Sequence, residues 1–183
     1  MLGAHASYAG AVTTTETPTT ETPGPTVDPG DLLALERQVC FALSVAARNV
    51  VAVYRPVLEP LGLTHPQYLV MLALWQYGPL SVKDLSGLLQ LDPGTLSPLL
   101  ERLEAADLLR RKRDPKDQRN LALALTEKGR ALRAEAAGIP SGIIERLGMP
   151  IEELVSLQGA LTKVIAAAQQ ALRTSSEQAA RVS

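Results

Sequence analysis

The strongest constraint on the fold is a pair of helix starts separated by a tight turn. Ser81 and Asp84 form a capping pattern that predicts a short helix ending near Gln90. Asp92 is a favourable N-cap residue and Pro93 suits the first helical position, so a second helix is predicted directly after a three-residue turn. This arrangement is typical of a helix-turn-helix, although it also occurs in helical bundles that bind no ligand.

The second helix of this pair is predicted to be amphipathic. Its inner face carries four leucines, Leu96, Leu99, Leu100 and Leu103. Its outer face carries Thr95, Ser97, Pro98, Glu101 and Arg102. In a helix-turn-helix the second helix enters the major groove and presents its N-terminal residues to base edges. The candidate DNA-binding residues of this helix are Thr95, Ser97, Pro98 and Arg102. The small side chains among them allow a close approach.

A basic hairpin follows the helix pair. The segments LLRRKR and NLALAL predict two short strands, joined by the turn-forming residues DPKDQ. Residues 110–119 contain six basic and two acidic side chains, a local net charge of +4 in a chain whose total is −1. A solvated charge run is the ordinary explanation, but this run lies where a wing would flank the second helix, and arginine suits a narrow minor groove. The candidate DNA contacts here are Arg113, Lys116, Asp117 and Arg119.

Leucine and alanine dominate the chain from residue 31 onward, and aromatic residues make up only 3% of it, which favours helices over a sheet sandwich. The predicted fold class is mainly α, a winged helix-turn-helix with N- and C-terminal helices that form a dimerisation region. The predicted domains are a disordered Thr/Pro-rich tail (1–30), an N-terminal dimerisation helix (31–60), the winged helix-turn-helix (61–136), C-terminal dimerisation helices (137–172) and a flexible tail (173–183).

The first long helix is predicted from about Asp31, with apolar residues in two adjacent stripes, one of which contains Cys40 and Tyr54. A helix that is apolar on two faces is buried on two sides, so it should pack against its own core and against a partner chain. Pro56 and Pro60 are expected to end it.

Further helices are predicted from local start and stop signals. One helix is predicted from Thr64 to Gly78. A second begins at Thr126 and is broken by Gly138 and Pro140, and a third runs from about Pro150 to Leu172.

The chain has a single cysteine, so no intrachain disulfide can form, and a lone thiol fits a reducing cytoplasm. The N-terminus lacks the charge and apolar run of a signal peptide, and no stretch is expected to approach the ~18 apolar residues of a membrane span. We therefore expect a cytoplasmic protein with no membrane partner, and we predict no cofactor and no metal site.

Three segments resemble the core of MarR-family regulators: LTHPQYLVMLALWQYGPLSVKDL, DPGTLSPLLERLEAADLL and RRKRDPKDQRNLALALTEKG. The resemblance covers roughly residues 31–172 and is specific over 64–130. Asp117 and Arg119 match the Asp-x-Arg wing signature of that family. The resemblance implies that Arg119 reaches into the minor groove and that Asp117 orients it.

By itself, Cys40 on an apolar helix face is most simply a small buried hydrophobe, and Arg37 is the one basic residue within a turn of it. However, ERQVCFALSVAARNVVAVYRPVLEPLGLTHPQYL closely resembles the organic-hydroperoxide-resistance (OhrR) subgroup of MarR proteins. That resemblance implies that Cys40 is the peroxide-reactive residue and that the Tyr54 hydroxyl supports its thiolate. Phe41 and Ser44 are the predicted lining of the sensing pocket, and Ser44 stands where the subgroup has a second tyrosine.

Helix geometry tests this assignment. Tyr54 lies 14 residues beyond Cys40, about 21 Å along a helix, so it cannot reach Cys40 of its own chain. Only the partner's Tyr54 could do so, across an antiparallel helix pair in a two-fold dimer. Peroxide sensing through these two residues therefore requires a homodimer.

These observations predict a DNA-binding transcriptional repressor, not an enzyme, that binds an inverted-repeat operator as a homodimer. An organic hydroperoxide would oxidise Cys40, a low-molecular-weight thiol would cap it, and the operator would be released. Three alternatives remain open: a thiol peroxidase, a MarR-type repressor gated by a phenolic or amphipathic ligand with Cys40 inert, and a purely structural helical dimer.

Overall fold

A computed structural model describes residues 33–113 and 121–182. The chain divides into two units, Met1–Ala42 and Leu43–Ser183. The helices are α1 (Val39–Leu58), α2 (His65–Tyr77), α3 (Val82–Leu89), α4 (Pro93–Ala105), α5 (Glu127–Ala136), α6 (Ile139–Leu147) and α7 (Ile151–Val182). The strands are β1 (Leu80–Ser81), β2 (Leu109–Arg113) and β3 (Leu121–Leu125), and short 3-10 helices cover Leu35–Arg37 and Glu59–Leu61. The prediction of a mainly α chain with a short hairpin is confirmed.

The predicted helix-turn-helix is formed by α3 and α4, and local hydrogen bonds fix both helix starts. The Ser81 hydroxyl oxygen accepts from the backbone N–H of Asp84 at 3.0 Å. The Asp92 carboxylate accepts from the backbone N–H of Thr95 at 2.9 Å. Gln90 ends α3 in the left-handed region, with φ 54°. Each N-cap satisfies a backbone donor that a helix start leaves without a partner. The turn itself lies between the Gln90 N–H, which donates to the Ser86 carbonyl, and the Asp92 cap.

The core of the second unit is built around α2, which packs against α3, α4, α5 and β3. α4 contributes its predicted leucine face, in which Leu96, Leu100 and Leu103 are buried and Leu99 is partly buried. Burying a leucine stabilises the fold by about 1.5–3 kcal/mol, so this face alone holds α4 firmly in place. The other fully buried large side chains are Leu58, Val70, Met71, Leu74, Leu85, Leu109 and Leu123.

The hairpin belongs to a three-stranded antiparallel sheet with the strand order β1-β3-β2. Leu80 and Arg111 pair with Leu123 from opposite sides. β1 was not predicted, because a strand of two residues has no alternating pattern to detect. Within β2, Leu109 is buried and the four residues after it are exposed. The sheet therefore anchors the hairpin at its base and projects basic side chains beyond it.

The predicted start of α1 is wrong, and its end lies between the two prolines that were predicted to end it. Within the described residues the α-helix begins at Val39, because Gln38 adopts an extended backbone with ψ 115°. At the other end Pro56 lies inside the helix, which continues to Leu58. A proline removes one backbone donor without stopping a helix that is about to end. The 3-10 turn that contains Pro60 then leads to Gly62, whose φ of 66° completes the break.

The C-terminal helices also differ from prediction. Ala137 and Gly138 separate α5 from an additional helix, α6, and Pro140 lies inside α6 at an early position that needs no backbone donor. α7 continues to Val182, so the predicted end near Leu172 is wrong. The residues beyond Leu172 are rich in Ala, Gln, Glu and Arg, which are good helix formers, and this composition accounts for the extension.

Helix α1 and the turn after it, Val39–Leu61, are long and apolar enough to cross a membrane when judged by length and composition alone. The expectation that no stretch approaches such a length is wrong by this measure. The segment is largely exposed, and of the described residues of α1 only Leu58 is buried. The same length and composition also occur in helices of soluble proteins that pack against other protein surfaces, so the finding is weak evidence for a membrane.

Gly129 lies at a close contact between α5 and the residues that lead into β2. The Thr126 hydroxyl caps α5 by accepting from the Gly129 N–H at 3.0 Å, and the Trp75 indole N–H donates to the Gly129 carbonyl at 2.8 Å. A methyl group at Gly129 would lie 1.9 Å from the Leu108 carbonyl oxygen, which is closer than any real contact. Only glycine fits here without a backbone shift.

We therefore expect Gly129→Ala to destabilise the fold by about 1–3 kcal/mol, the usual range for overpacking. Gly142→Ala in α6 is the matched control, since an added methyl there has no neighbour within 4 Å. The control should be neutral or stabilising by about 0.5–1 kcal/mol, because alanine is the better helix former. Urea denaturation at one protein concentration measures both variants, and equal stabilities would contradict the argument.

Candidate nucleic-acid interface and thiol site

The N-terminal half of α4 has an exposed polar face whose hydroxyl groups are engaged within the helix. The Thr95 hydroxyl donates to the Asp92 carboxylate at 2.6 Å. The Ser97 hydroxyl donates to the Pro93 carbonyl at 2.8 Å. Hydrogen bonds from Thr95 hold the pKa of Asp92 below its usual value, so this carboxylate is ionised at neutral pH. Both hydroxyl oxygens keep lone pairs that can accept a further hydrogen bond from outside.

A central stripe runs along the exposed face of α4, opposite the leucine face. It consists of Gly94, Pro98, Glu101 and Ala105, which recur at spacings of four and three and are all exposed. Arg102 is also exposed and lies on the flank of this stripe. The helix therefore presents a narrow surface of small side chains with one carboxylate and one guanidinium towards its C-terminal half.

Strand β2 supplies a basic surface next to α4, with which it is in contact. Arg110, Lys112 and Arg113 are exposed. Arg111 is held on α4 by Glu104, since its guanidinium lies 3.4 Å from the Glu104 carboxylate and its backbone N–H donates to the same group at 3.3 Å. The pair is exposed and adds little stability, but it fixes the position of the strand relative to the helix.

The structure thus brings most of the predicted DNA-binding residues onto adjoining surfaces. Thr95, Ser97, Pro98 and Arg102 share the outer part of α4, and Arg113 ends β2 beside it. The remaining three candidates, Lys116, Asp117 and Arg119, lie outside the described residues, and their roles stay predictions.

The thiol lies in the first unit. Cys40 is exposed at the start of α1, and the adjacent Phe41 is 37% exposed. Cys40 is therefore not the small buried hydrophobe that a lone cysteine on an apolar face most often is.

The other two residues assigned to sensing lie in the second unit. Ser44 is exposed, and Tyr54 is partly buried in an aromatic cluster. The Tyr54 ring meets His65 edge-on at 4.9 Å between centroids and lies 6.1 Å from Tyr68, which in turn lies 6.4 Å from Trp75. Burial raises the pKa of Tyr68, and the neighbouring Tyr54 adds to the rise. These contacts fix the ring of Tyr54 in one orientation.

A crevice of about 450 Å³ opens beside this cluster, between the end of α1 and the start of α2. Its apolar side chains are Val51, Leu63 and Pro66, and its polar ones are Arg55, Glu59, Thr64 and His65. Sequence patterns gave no signal for the crevice, because it depends on the turn through Gly62, which brings residues of two helices together.

Comparison with known proteins is consistent with this geometry. A family model described as "MarR family" matches residues 63–121. An organic hydroperoxide resistance transcriptional regulator of Bacillus subtilis (strain 168) is 40% identical over 131 residues, which are 72% of this chain and 89% of that protein.

Two solved structures with DNA are also similar. Overoxidised AbfR bound to DNA, a protein of Staphylococcus epidermidis, gives a TM-score of 0.57 at 28% identity and covers 71% of this chain and 92% of its own. The repressor CouR bound to a 23-mer DNA duplex gives 0.66 at 26% identity, with 73% and 96% covered. In both comparisons the match covers nearly the whole length of the solved structure.

Folding of the second unit should depend on pH through His65. Burial lowers its pKa below 6.5, so the unfolded chain binds a proton more readily than the folded one. Its contribution to stability is complete above about pH 6.5 and is lost as the pH falls through the folded pKa. We expect the free energy of unfolding to fall from about pH 7 to about pH 5, and His65→Gln to reduce that fall. Urea titrations at several pH values measure it, and parallel curves for the two proteins would refute the assignment.

Proposed function

The chain belongs to the MarR family of transcription regulators, and from that premise we propose that it is a DNA-binding repressor released from its operator when an organic hydroperoxide oxidises Cys40. The observation that carries the DNA-binding part is the exposed outer face of α4, set directly opposite a buried leucine face and beside the basic strand β2. A helix held this way can enter a major groove without disturbing the core behind it.

The proposed contacts to DNA are of two types, those to the phosphate backbone and those to base edges. The exposed basic residues of β2 suit the phosphate backbone, which supplies most of the affinity and none of the sequence information. The outer face of α4 suits base edges, because its N-terminal side chains are small and polar. Arg119, in the segment between β2 and β3, is proposed to enter the adjoining minor groove, with Asp117 orienting it, in keeping with the MarR wing signature.

A homodimer is part of the proposal because α1 and α7 bury almost nothing within one chain. None of the described side chains of α7 is fully buried, and large apolar residues on both helices are exposed. On α1 these are Val39, Phe41 and Val51, and on α7 they are Ile151, Val155, Leu157, Val164, Ile165 and Leu172. Within α7, leucine, valine and alanine at 154, 157, 161, 164 and 168 alternate spacings of three and four, the pattern of helices that pair with one another.

The chemistry proposed at Cys40 is thiolate oxidation. The sulfur attacks the peroxide oxygen farther from the carbon, the O–O bond breaks, and the alkoxide leaves and takes a proton to become an alcohol. The resulting sulfenic acid condenses with a low-molecular-weight thiol to form a mixed disulfide and water, since the chain has no second cysteine. Cys40 is exposed within one chain, so access of the peroxide and the thiol to the sulfur depends on the partner chain that is proposed to cover this surface.

Release of DNA would follow from a change at the dimer interface. The thiol adduct adds bulk next to apolar surface that the partner chain is proposed to cover, and it removes the hydrogen bond proposed from the partner's Tyr54. The relative positions of the two α4 helices would then no longer match half-sites one helical turn apart.

A ligand-gated repressor remains the second candidate, and the crevice beside Tyr54 favours it. The lining of the crevice combines apolar side chains with Arg55, Glu59 and His65, which suits an amphipathic molecule such as a phenol. In that case Cys40 would be inert.

The Cys40→Ser variant separates the two candidates. We expect wild type to lose roughly 5–150-fold in affinity for DNA from its own upstream region after one equivalent of an organic hydroperoxide plus a small thiol, and Cys40→Ser to keep its affinity. Fluorescence anisotropy measures both, with peroxide alone and thiol alone as controls. If both proteins hold the DNA, peroxide sensing at Cys40 is excluded and the ligand-gated repressor becomes the leading account.

The wing is tested by Arg119→Ala. Loss of an arginine from the minor groove should weaken DNA binding about 10-fold or more and reduce its salt dependence. Arg133→Ala in α5 is the matched control, since it removes an exposed arginine from a helix outside both the proposed DNA interface and the predicted dimerisation helices. Equal losses in the two variants would point to general charge attraction and against a specific wing contact.

A further inference from the structure

Along its central stripe and towards its N-terminus, the outer face of α4 offers hydrogen-bond acceptors and no free side-chain donor, and the Arg102 guanidinium lies on the flank of the stripe. The Thr95 and Ser97 hydroxyl protons are directed to Asp92 and to the Pro93 carbonyl, so only their oxygen lone pairs face outward. Proline at 98 has no donor of its own. A surface of this kind matches bases that present amino groups in the major groove and is mismatched with bases that present only carbonyl oxygens.

Glu101 is the strongest acceptor on this face and occupies its central stripe. Its side chain is exposed, and no hydrogen bond or ion pair reaches it from the described part of the chain. Glu104, three residues further along the same helix, instead forms an ion pair with Arg111. The carboxylate of Glu101 is therefore available to an external donor, while that of Glu104 is engaged.

A carboxylate that approaches DNA is repelled by the phosphates unless it gains a specific contact there. Among the base edges of the major groove, the amino group of cytosine is the usual partner of a glutamate. We propose that Glu101 is a specificity-determining residue that accepts a hydrogen bond from the N4 amino group of a cytosine in each half-site. Gly94 and Pro98, in the same stripe, lack the bulk that would keep the carboxylate away from the groove floor.

This inference rests on the proposed DNA-binding function and adds a testable base preference to it. Replacing the cytosine by thymine exchanges an amino donor for a carbonyl oxygen, which faces the carboxylate with a second acceptor. We expect wild type to bind such a substituted duplex at least about 10-fold more weakly than the preferred one. The paired guanine becomes adenine at the same time, and the adenine amino group lies on the other strand, away from the position at which Glu101 is proposed to meet cytosine.

The experiment is selection from duplexes with about 30 randomised base pairs, long enough for two half-sites one helical turn apart. The full-length reduced protein is compared with Glu101→Ala, Glu101→Gln and Glu135→Gln, and anisotropy then quantifies single-base substitutions in the enriched duplex. Glu135→Gln is the control, since it removes the same charge from an exposed position of α5, outside the proposed DNA interface. Circular dichroism confirms that each variant is folded.

We expect wild type and Glu135→Gln to enrich the same cytosine. Glu101→Ala should lose the preference at that base pair, with the cytosine-to-thymine penalty falling to within about 2-fold, and Glu101→Gln should shift it towards adenine, the usual partner of glutamine. An unchanged motif in both Glu101 variants would overturn the assignment and leave DNA binding intact. Failure of wild type to enrich any sequence would overturn the proposed function and this inference with it.

Discussion

The leucine face of α4 is the constraint on which the rest of the second unit depends. Leu96, Leu100 and Leu103 are buried against a core centred on α2, and a rotation of the helix would expose them. Exposing even one leucine costs about 1.5–3 kcal/mol, so the rotational setting of α4 is fixed. The outward direction of Thr95 and Glu101 is therefore a consequence of core packing, and no contact on the outer face is needed to maintain it.

The same principle positions the hairpin. Leu109 and Leu123 are buried in the same core, and the close approach of Gly129 to the Leu108 carbonyl ties the base of β2 to α5. The Thr126 hydroxyl adds a bond to the Asp107 carbonyl at 2.6 Å. Because these anchors lie at one end of the strand, the basic residues beyond Leu109 can serve as a surface without contributing to the core. Stability and the proposed DNA recognition are thus assigned to separate residues of one short strand.

How far the sequence predicts this molecule depends on whether the decisive interaction is local. The starts of α3 and α4 were predictable, because Ser81 and Asp92 each bond a backbone group three residues away. The two-residue strand β1 was not, since it exists only through pairing with β3. The break at Gln38 in the extended region had no local signal either. The crevice beside Tyr54 was missed for the same reason, because residues of two helices form it.

The exposed apolar surface of α1 and α7 resolves an apparent conflict between composition and function. A helix as apolar as α1 satisfies the length and composition of a membrane span, yet the family to which the chain belongs consists of transcription regulators. A partner chain covering this surface accounts for both facts, because helices buried between two chains need to be as apolar as a core.

Under the proposed function the arrangement also has a consequence for sensing. Few side chains of α1 and α7 are buried within the described part of one chain, so a partner chain would set much of their position, and a modification at Cys40 would change the contacts with that partner. The spacing between the two α4 helices of the proposed dimer would then change, although the leucine face keeps each α4 in place within its own chain.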